Sequence, residues 1–91
     1  MTVTWREDAT TDVLRILANI QTENPMAARR VARELFLAGN SLSVFPRRGR
    51  PGRIDGTREL VPIYPYIIVY EADGGGDVTI LRVWRGAQNR L

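Results

Sequence analysis

A nearly continuous apolar run constrains the fold of this 91-residue chain more than any other feature. Residues 66–72 have the sequence YIIVYEA, which is typical of a strand with little exposure to water on either face. The turn sequence DGGGD at 73–77 separates this run from VTILRVW at 78–84. Two such strands joined by a glycine-rich turn predict a β-hairpin, with residues 66–72 at the centre of a sheet.

A third predicted strand precedes this hairpin. Its sequence is TRELVPIY at 57–64, which combines β-branched and aromatic residues. Pro62 and the following Pro65 donate no hydrogen bond to a neighbouring strand, so we expect a bulge or an edge position there.

The first part of the chain has a different pattern. Val3 and Trp5 alternate with threonines and predict a short strand. Apolar side chains then recur at helical spacing over residues 9–20, and either Asp8 or Thr10 has the side chain of a helix cap. We therefore expect a strand followed by a first helix.

A second helix is predicted to begin at Asn24-Pro25, a capping asparagine followed by proline at the first helical position. Its expected buried face is formed by Ala28, Val31, Leu35, Leu42 and Phe45, and Gly39 and Asn40 indicate a kink or an early end. The resulting order is β-α-α-β-β-β. This order predicts an α+β fold, in which residues 1–91 form one domain and a helical hairpin packs on a small, mainly antiparallel sheet.

Composition excludes several kinds of chemistry. The chain has no cysteine and no histidine, so a thiolate nucleophile, a disulfide and the commonest zinc ligands are all absent. We expect neither a cofactor nor a metal. No apolar run approaches the roughly 20 residues needed to span a bilayer, and we expect a cytoplasmic protein without a membrane partner.

The basic residues are concentrated in one segment. All 13 are arginines, and the net charge is +3. Residues 46–53, PRRGRPGR, contain Arg47, Arg48, Arg50 and Arg53; without these four, nine basic residues remain against ten acidic ones. We expect this glycine- and proline-rich segment to be a structural connection with a secondary contact role, because clustered arginines also suit phosphate or carboxylate groups.

The order of these segments resembles that of the RelE/ParE superfamily of bacterial toxins, and of its ParE-like branch in particular. The matching sequences are NPMAARRVA, FPRRGRPG, GTREL, YPYIIVY and ILRVWRGA, in that order along most of the chain. The resemblance implies the toxin of a type II toxin–antitoxin pair, bound by a cognate antitoxin in a higher-order complex. It also implies one of two targets, DNA gyrase for ParE-like members or messenger RNA on the ribosome for RelE-like members.

Two departures from the ribonuclease pattern favour gyrase. RelE-like nucleases often have a phosphate-contacting arginine after the aromatic residue that starts the central strand, whereas here Ile67 follows Tyr66. They also tend to have a tyrosine or histidine near the C-terminus, whereas the sequence from Arg85 onwards is RGAQNRL. An arginine stabilises negative charge but does not exchange a proton near neutral pH. We therefore expect a gyrase inhibitor that acts by binding.

Strand alternation places the candidate residues of the sheet. If Leu81 and Val83 face the helices, Arg82 and Trp84 lie on the exposed face of the sheet near Arg58. The expected surface for the target or the antitoxin consists of Arg47, Arg48, Arg50, Arg53, Arg58, Arg82, Trp84 and Arg85. In the alternative, a ribosome-dependent endoribonuclease, the catalytic candidates are Arg58, Arg82, Arg85 and Tyr66. A third possibility is an inactive relative that serves only as a binding partner.

Overall fold

The computed structural model describes residues 1–86 and contains the predicted succession of elements. Their bounds are β1 (Val3–Trp5), α1 (Glu7–Gln21), α2 (Pro25–Ser41), β2 (Arg50–Pro51), β3 (Arg58–Ile63), β4 (Tyr66–Ala72) and β5 (Val78–Arg85). The α+β prediction is confirmed, with the two-residue β2 as an addition. Residues 87–91, which complete the predicted domain and the sequence RGAQNRL, lie outside the described residues.

The strands form one sheet in the order β1-β5-β4-β3-β2. The pairing of β1 with β5 is parallel and the other pairings are antiparallel. Strand β4 lies at the centre, as its apolar sequence predicts. The first strand therefore pairs with the last one, and Val3 is opposite Val78.

The core lies between the helical hairpin and one face of this sheet. Alternate residues of β4 point towards the helices, among them Ile68 and Tyr70, both fully buried. From the helical side, Val13 of α1 and Leu35 of α2 are also fully buried. Apart from Phe45, the apolar face that the sequence predicts for each helix is therefore the face that packs.

Two bulges adjust the register. Between Leu60 and Ile63 the β3–β4 ladder is shifted, which confirms the irregularity expected near Pro62. In β5, Ile80 is paired with Tyr70 and the next paired residue is Arg82, so Leu81 is the extra residue of a bulge. Because of this bulge, Ile80 and Val83 both face the core although strict alternation places them on opposite faces.

The helix boundaries differ from the prediction in two places. Helix α1 begins at Glu7, two residues earlier than a cap at Asp8 predicts and four earlier than a cap at Thr10 predicts. Its N-cap residue is Arg6, which makes no side-chain cap hydrogen bond, so neither Asp8 nor Thr10 caps the helix. Helix α2 starts as predicted, because the Asn24 side chain accepts a hydrogen bond from the Ala27 amide at 3.1 Å. It ends at Ser41, however, and the side chain of Phe45 is 61% exposed instead of buried.

Gly39 lies inside α2 for a packing reason and does not end the helix. A Cβ atom at this position would collide with the indole of Trp5 on β1. The absence of a side chain therefore lets α2 approach the edge of the sheet. Neither helix of the described part is long and apolar enough to cross a membrane.

Candidate functional site

The carboxylate of Asp12 joins α1 to β5. Strand β1 pairs with β5 only as far as Ile80, so the next part of this edge has no neighbouring strand. There the Val83 amide donates a hydrogen bond to Oδ2 of Asp12 at 3.0 Å. Nε and Nη2 of Arg82 donate to the two oxygens of the same carboxylate at 2.7 and 2.9 Å. The Asp12 side chain thus provides the acceptor that a neighbouring strand would otherwise offer to the Val83 amide, and it forms an ion pair with Arg82.

The electrostatics of this pair keep both groups charged. Burial alone raises the pKa of Asp12, because desolvation disfavours the anion. The hydrogen bonds from Arg82 and from the Val83 amide, together with the positive charges of Arg82 and Arg15, outweigh burial and lower the pKa below its usual 3.8. The hydrogen bond to Asp12 raises the pKa of Arg82. The charge of Arg82 is therefore largely compensated within the protein.

Arg58 and Arg82 do not share a surface, contrary to expectation. Arg82 is opposite Val69 in the strand register, so its backbone position directs the side chain to the face turned away from the helices. At the edge that β1 leaves open, its guanidinium still contacts Asp12 of α1, and it lies 5.9 Å from the ring centre of Trp84. Arg58 is opposite Tyr70, whose side chain is buried beneath the helices. Directly opposed residues share a face and successive residues alternate, so the two arginines lie on opposite faces of the sheet.

Arg58 instead supports the basic segment 46–53. Its Nη1 donates to the Gly49 carbonyl at 2.6 Å and to the Arg47 carbonyl at 3.4 Å. The Tyr70 hydroxyl accepts from the Gly49 amide at 2.8 Å and donates to the Pro46 carbonyl at 2.9 Å. Gly49 itself is buried, and a Cβ atom there would lie 2.7 Å from the Glu59 carbonyl oxygen. The backbone of this segment is therefore anchored to β3 and β4.

The arginines of the segment have different roles. Nη2 of Arg50 forms an ion pair with Glu59 of β3 at 3.1 Å, and the two residues are cross-strand partners in the short β2–β3 ladder. The Arg48 guanidinium donates to the Ser41 hydroxyl at 2.8 Å. The guanidinium groups of Arg47 and Arg53 make no hydrogen bond or ion pair with any other residue between 1 and 86. The segment is thus a connection held by hydrogen bonds to β3 and β4, and Arg47 and Arg53 remain exposed on it.

A cleft of about 460 Å³ lies between α1 and the sheet. Tyr66 and Arg85 are cross-strand partners and both line it. The α1 side contributes Asp12, Arg15 and Asn19, whereas Arg58 and Arg82 are not among the lining residues. Of the four catalytic candidates for a nuclease, Tyr66 and Arg85 therefore lie together in this cleft, and Arg58 and Arg82 lie outside its lining.

The chemistry that this cleft offers is limited. Its arginines attract an anion, but the chain contains no histidine or cysteine to transfer a proton or attack a phosphate. Within residues 1–86 no group of three potential metal-ligating side chains comes together. The cleft combines both signs of charge, since Asp12 and Glu23 line it together with Arg15 and Arg85.

Sequence reasoning missed two exposed surfaces. Arg29, Arg30 and Arg33 line a shallow hollow along α2 with Met26, and their helical spacing away from the apolar stripe is a signal for it. The other surface follows α2 and contains Val44 and Phe45. It was missed because the apolar pattern continues past the end of the helix.

Comparisons with known proteins identify the family. A family model described as ParE toxin of type II toxin-antitoxin system, parDE, matches residues 3–90. A protein of Sinorhizobium fredii named "Putative toxin Y4kP" is 40% identical over 87 residues, covering 94% of this chain and 88% of that one. Toxin RelE2 of Caulobacter vibrioides is 41% identical over 73 residues, covering 79% and 82% of the two chains.

Solved structures agree with the fold. A chain of the chromosomal ParDE system from P. aeruginosa superposes with a TM-score of 0.80 at 22% identity, covering 93% of this chain and 95% of that one. A chain of the RelBE2 toxin-antitoxin complex from Mycobacterium tuberculosis gives a TM-score of 0.59 at 27% identity, covering 92% and 95%. Given the match over residues 3–90, the chain belongs to the ParE toxin family of type II toxin–antitoxin systems.

Proposed function

We propose that this protein inhibits DNA gyrase by binding to it, without catalysis of its own, and that a cognate antitoxin neutralises it in the cytoplasm. Inhibition would take the form of trapped cleaved DNA or of lost supercoiling. The proposal requires a stable surface that recognises a protein–DNA complex, and it requires no proton-transfer group.

The state of the arginines carries this proposal. A nuclease needs several cations converging on one phosphate, free to stabilise charge as it develops. Here Arg82 is paired through two hydrogen bonds with Asp12, and Arg58 donates to the backbone carbonyls of Arg47 and Gly49. Both are therefore engaged in holding the fold together. This supports a role in binding over one in RNA cleavage.

An antitoxin partner is supported by the named relatives. One superposed chain comes from a ParDE system, and the other comes from a toxin-antitoxin complex. In the protein itself, the basic and apolar side chains exposed along α2 suit an acidic, amphipathic segment that folds on binding. We expect such a segment to cover part of this surface in the complex.

A gyrase assay tests the proposal. The purified protein is added to gyrase with relaxed plasmid and with supercoiled plasmid, alone and with its antitoxin. We expect lost supercoiling or accumulated cleaved DNA, reversed by the antitoxin. The variant Tyr66→Phe is expected to retain this inhibition, because the proposal assigns no chemistry to the cleft. A protein that arrests growth and leaves gyrase unaffected would contradict the proposal.

The second candidate is a ribosome-dependent endoribonuclease, which the meeting of Tyr66 and Arg85 in one cleft favours. On translating ribosomes this activity predicts rapid messenger cleavage, and Tyr66→Phe or Arg85→Ala would abolish it. If expression of the protein neither arrests growth nor affects either target, the remaining conclusion is an inactive relative that only binds its partner.

A further inference from the structure

Two apolar side chains are exposed directly after α2, in a five-residue segment, Val44–Arg48, that we call the exit turn. Val44 is 69% exposed and Phe45 is 61% exposed. Together with Pro46, Arg47 and Arg48 they line a shallow depression of about 440 Å³. Exposed apolar side chains grouped in this way mark interaction surfaces more often than isolated ones do.

The backbone of the exit turn is fixed from the side of α2. The amides of Val44 and Phe45 donate to the Ser41 carbonyl at 3.0 and 3.1 Å, which continues the helical hydrogen bonding for one further turn. The Arg48 amide then donates to the Phe45 carbonyl at 3.1 Å and closes a tight turn. These bonds hold the backbone at Phe45 and so set the direction of its Cα–Cβ bond.

The sheet fixes the same turn from the other side. The Tyr70 hydroxyl accepts from the Gly49 amide and donates to the Pro46 carbonyl, and Arg58 donates to the Arg47 and Gly49 carbonyls. A turn held at both ends loses little conformational entropy when it binds a partner. The exposure of Val44 and Phe45 therefore does not come from an unconstrained loop.

The charge around these apolar side chains has one sign. Arg47 and Arg48 flank the depression, and neither forms an ion pair with a carboxylate of the described residues. An aromatic ring beside arginines has the composition of an interface hot spot. A complementary surface would have an apolar pocket for Phe45 and carboxylates around its rim.

We propose that the exit turn is the surface by which this protein engages its protein target, with Phe45 inserted into an acid-rimmed apolar pocket. The inference rests on the proposed function, since it requires a toxin that acts by binding a protein. Nucleic acid fits less well, because aliphatic Val44 gains nothing from a phosphate backbone. An antitoxin segment that folds on binding needs a larger surface than five residues to offset its ordering cost.

Matched variants test the exit turn. Phe45→Ser is compared with Leu14→Ser, because Leu14 is 61% exposed on α1. Likewise, Arg47→Glu is compared with Arg6→Glu, which makes the same charge change at an exposed position before α1. Each variant is measured for growth arrest, gyrase inhibition, affinity for the antitoxin and melting temperature.

We expect Phe45→Ser to weaken gyrase inhibition by roughly 30-fold, the size of a hot-spot loss. Growth arrest should be lost in parallel, while antitoxin affinity changes by less than about threefold and the melting temperature stays the same. Arg47→Glu should have the same effect at a smaller size, and both control variants should retain inhibition.

Other outcomes overturn the inference. Full inhibition and growth arrest by Phe45→Ser would exclude the exit turn from target binding. Loss of antitoxin affinity with toxicity intact would assign the turn to the antitoxin. If only Arg47→Glu loses inhibition, and this loss depends strongly on salt, the turn contacts nucleic acid. If the wild-type protein has no toxic effect, the turn has no target to bind. If the wild type arrests growth without affecting gyrase, the proposed function fails, and loss of arrest in Phe45→Ser would still support the exit turn.

Discussion

Arg82 donates from both Nε and Nη2 to the carboxylate of Asp12, a residue 70 positions earlier in the chain. This relationship connects the first helix to the last strand of the sheet. It also explains why an arginine placed by sequence reasoning on a contact surface is engaged in the fold. The stability of the protein should therefore depend on this pair.

Removal of the carboxylate should destabilise the protein markedly. Asp12→Ala leaves the buried Val83 amide without its acceptor and Arg82 without its counter-charge, so we expect a loss of about 2–3 kcal/mol in the free energy of unfolding. Urea denaturation measures it. The control Glu7→Ala removes an exposed carboxylate from the same helix and should cost less than about 1 kcal/mol. Equal losses for both variants would contradict a structural role for Asp12.

The same pair makes stability depend on pH in a defined direction. The pKa of Asp12 is lower in the folded protein than its usual 3.8. Its charge therefore contributes stability that is complete above about pH 5, and this contribution is lost as the pH falls through 3.8 and then through the lower folded value. The difference in unfolding free energy between wild type and Asp12→Asn should shrink across this range. A difference that stays constant from pH 6 to pH 3 would mean that the ion pair contributes nothing.

The hydroxyl of Tyr70 should be needed for the exit turn. Tyr70→Phe leaves the Gly49 amide and the Pro46 carbonyl without their partner, which costs about 1–3 kcal/mol. Amide hydrogen exchange at Gly49 should become faster in this variant. Tyr64→Phe removes a hydroxyl from a side chain that is 84% exposed and should change stability by less than about 0.5 kcal/mol.

Gly39→Ala should destabilise α2 despite the higher helix propensity of alanine. An added Cβ at this position collides with the ring of Trp5, whose indole nitrogen donates to the Asn40 side chain at 3.2 Å. We expect a loss of about 1–3 kcal/mol, as for other overpacked positions, and a changed tryptophan fluorescence spectrum. Ala18→Gly, at an exposed position of α1, gives the size of the propensity effect alone, about 1 kcal/mol. A stabilised Gly39→Ala variant would mean that Trp5 moves without cost.

Much of the fold follows from local patterns in the sequence. The cap at Asn24 and the apolar run of β4 indicate their elements directly. The end of α2 at Ser41 could not be predicted from the sequence, because Leu42 continues the buried stripe and apolar residues extend to Phe45. Periodicity identifies an apolar position but does not say whether the protein or a partner covers it.

The candidate site was less accessible to sequence reasoning. Asp12 has a recognisable signal, because it is a carboxylate within the apolar stripe that includes Ala9, Val13 and Ile16. No sequence signal identifies Arg82 as the partner of Asp12, because the bulge at Leu81 decides where Arg82 and Val83 lie along the strand edge. Likewise, the position of Arg58 beside Tyr70 depends on strand register, which residue alternation alone does not determine.

The parallel pairing of β1 with β5 has a consequence for biosynthesis. Val78 is synthesised 75 residues after its partner Val3. The sheet edge and the Asp12 contact remain incomplete until β5 has emerged as far as Val83. A nascent chain or a truncated product that stops before this strand therefore lacks the completed fold. This edge of the sheet can therefore form only after β5 has left the ribosomal tunnel.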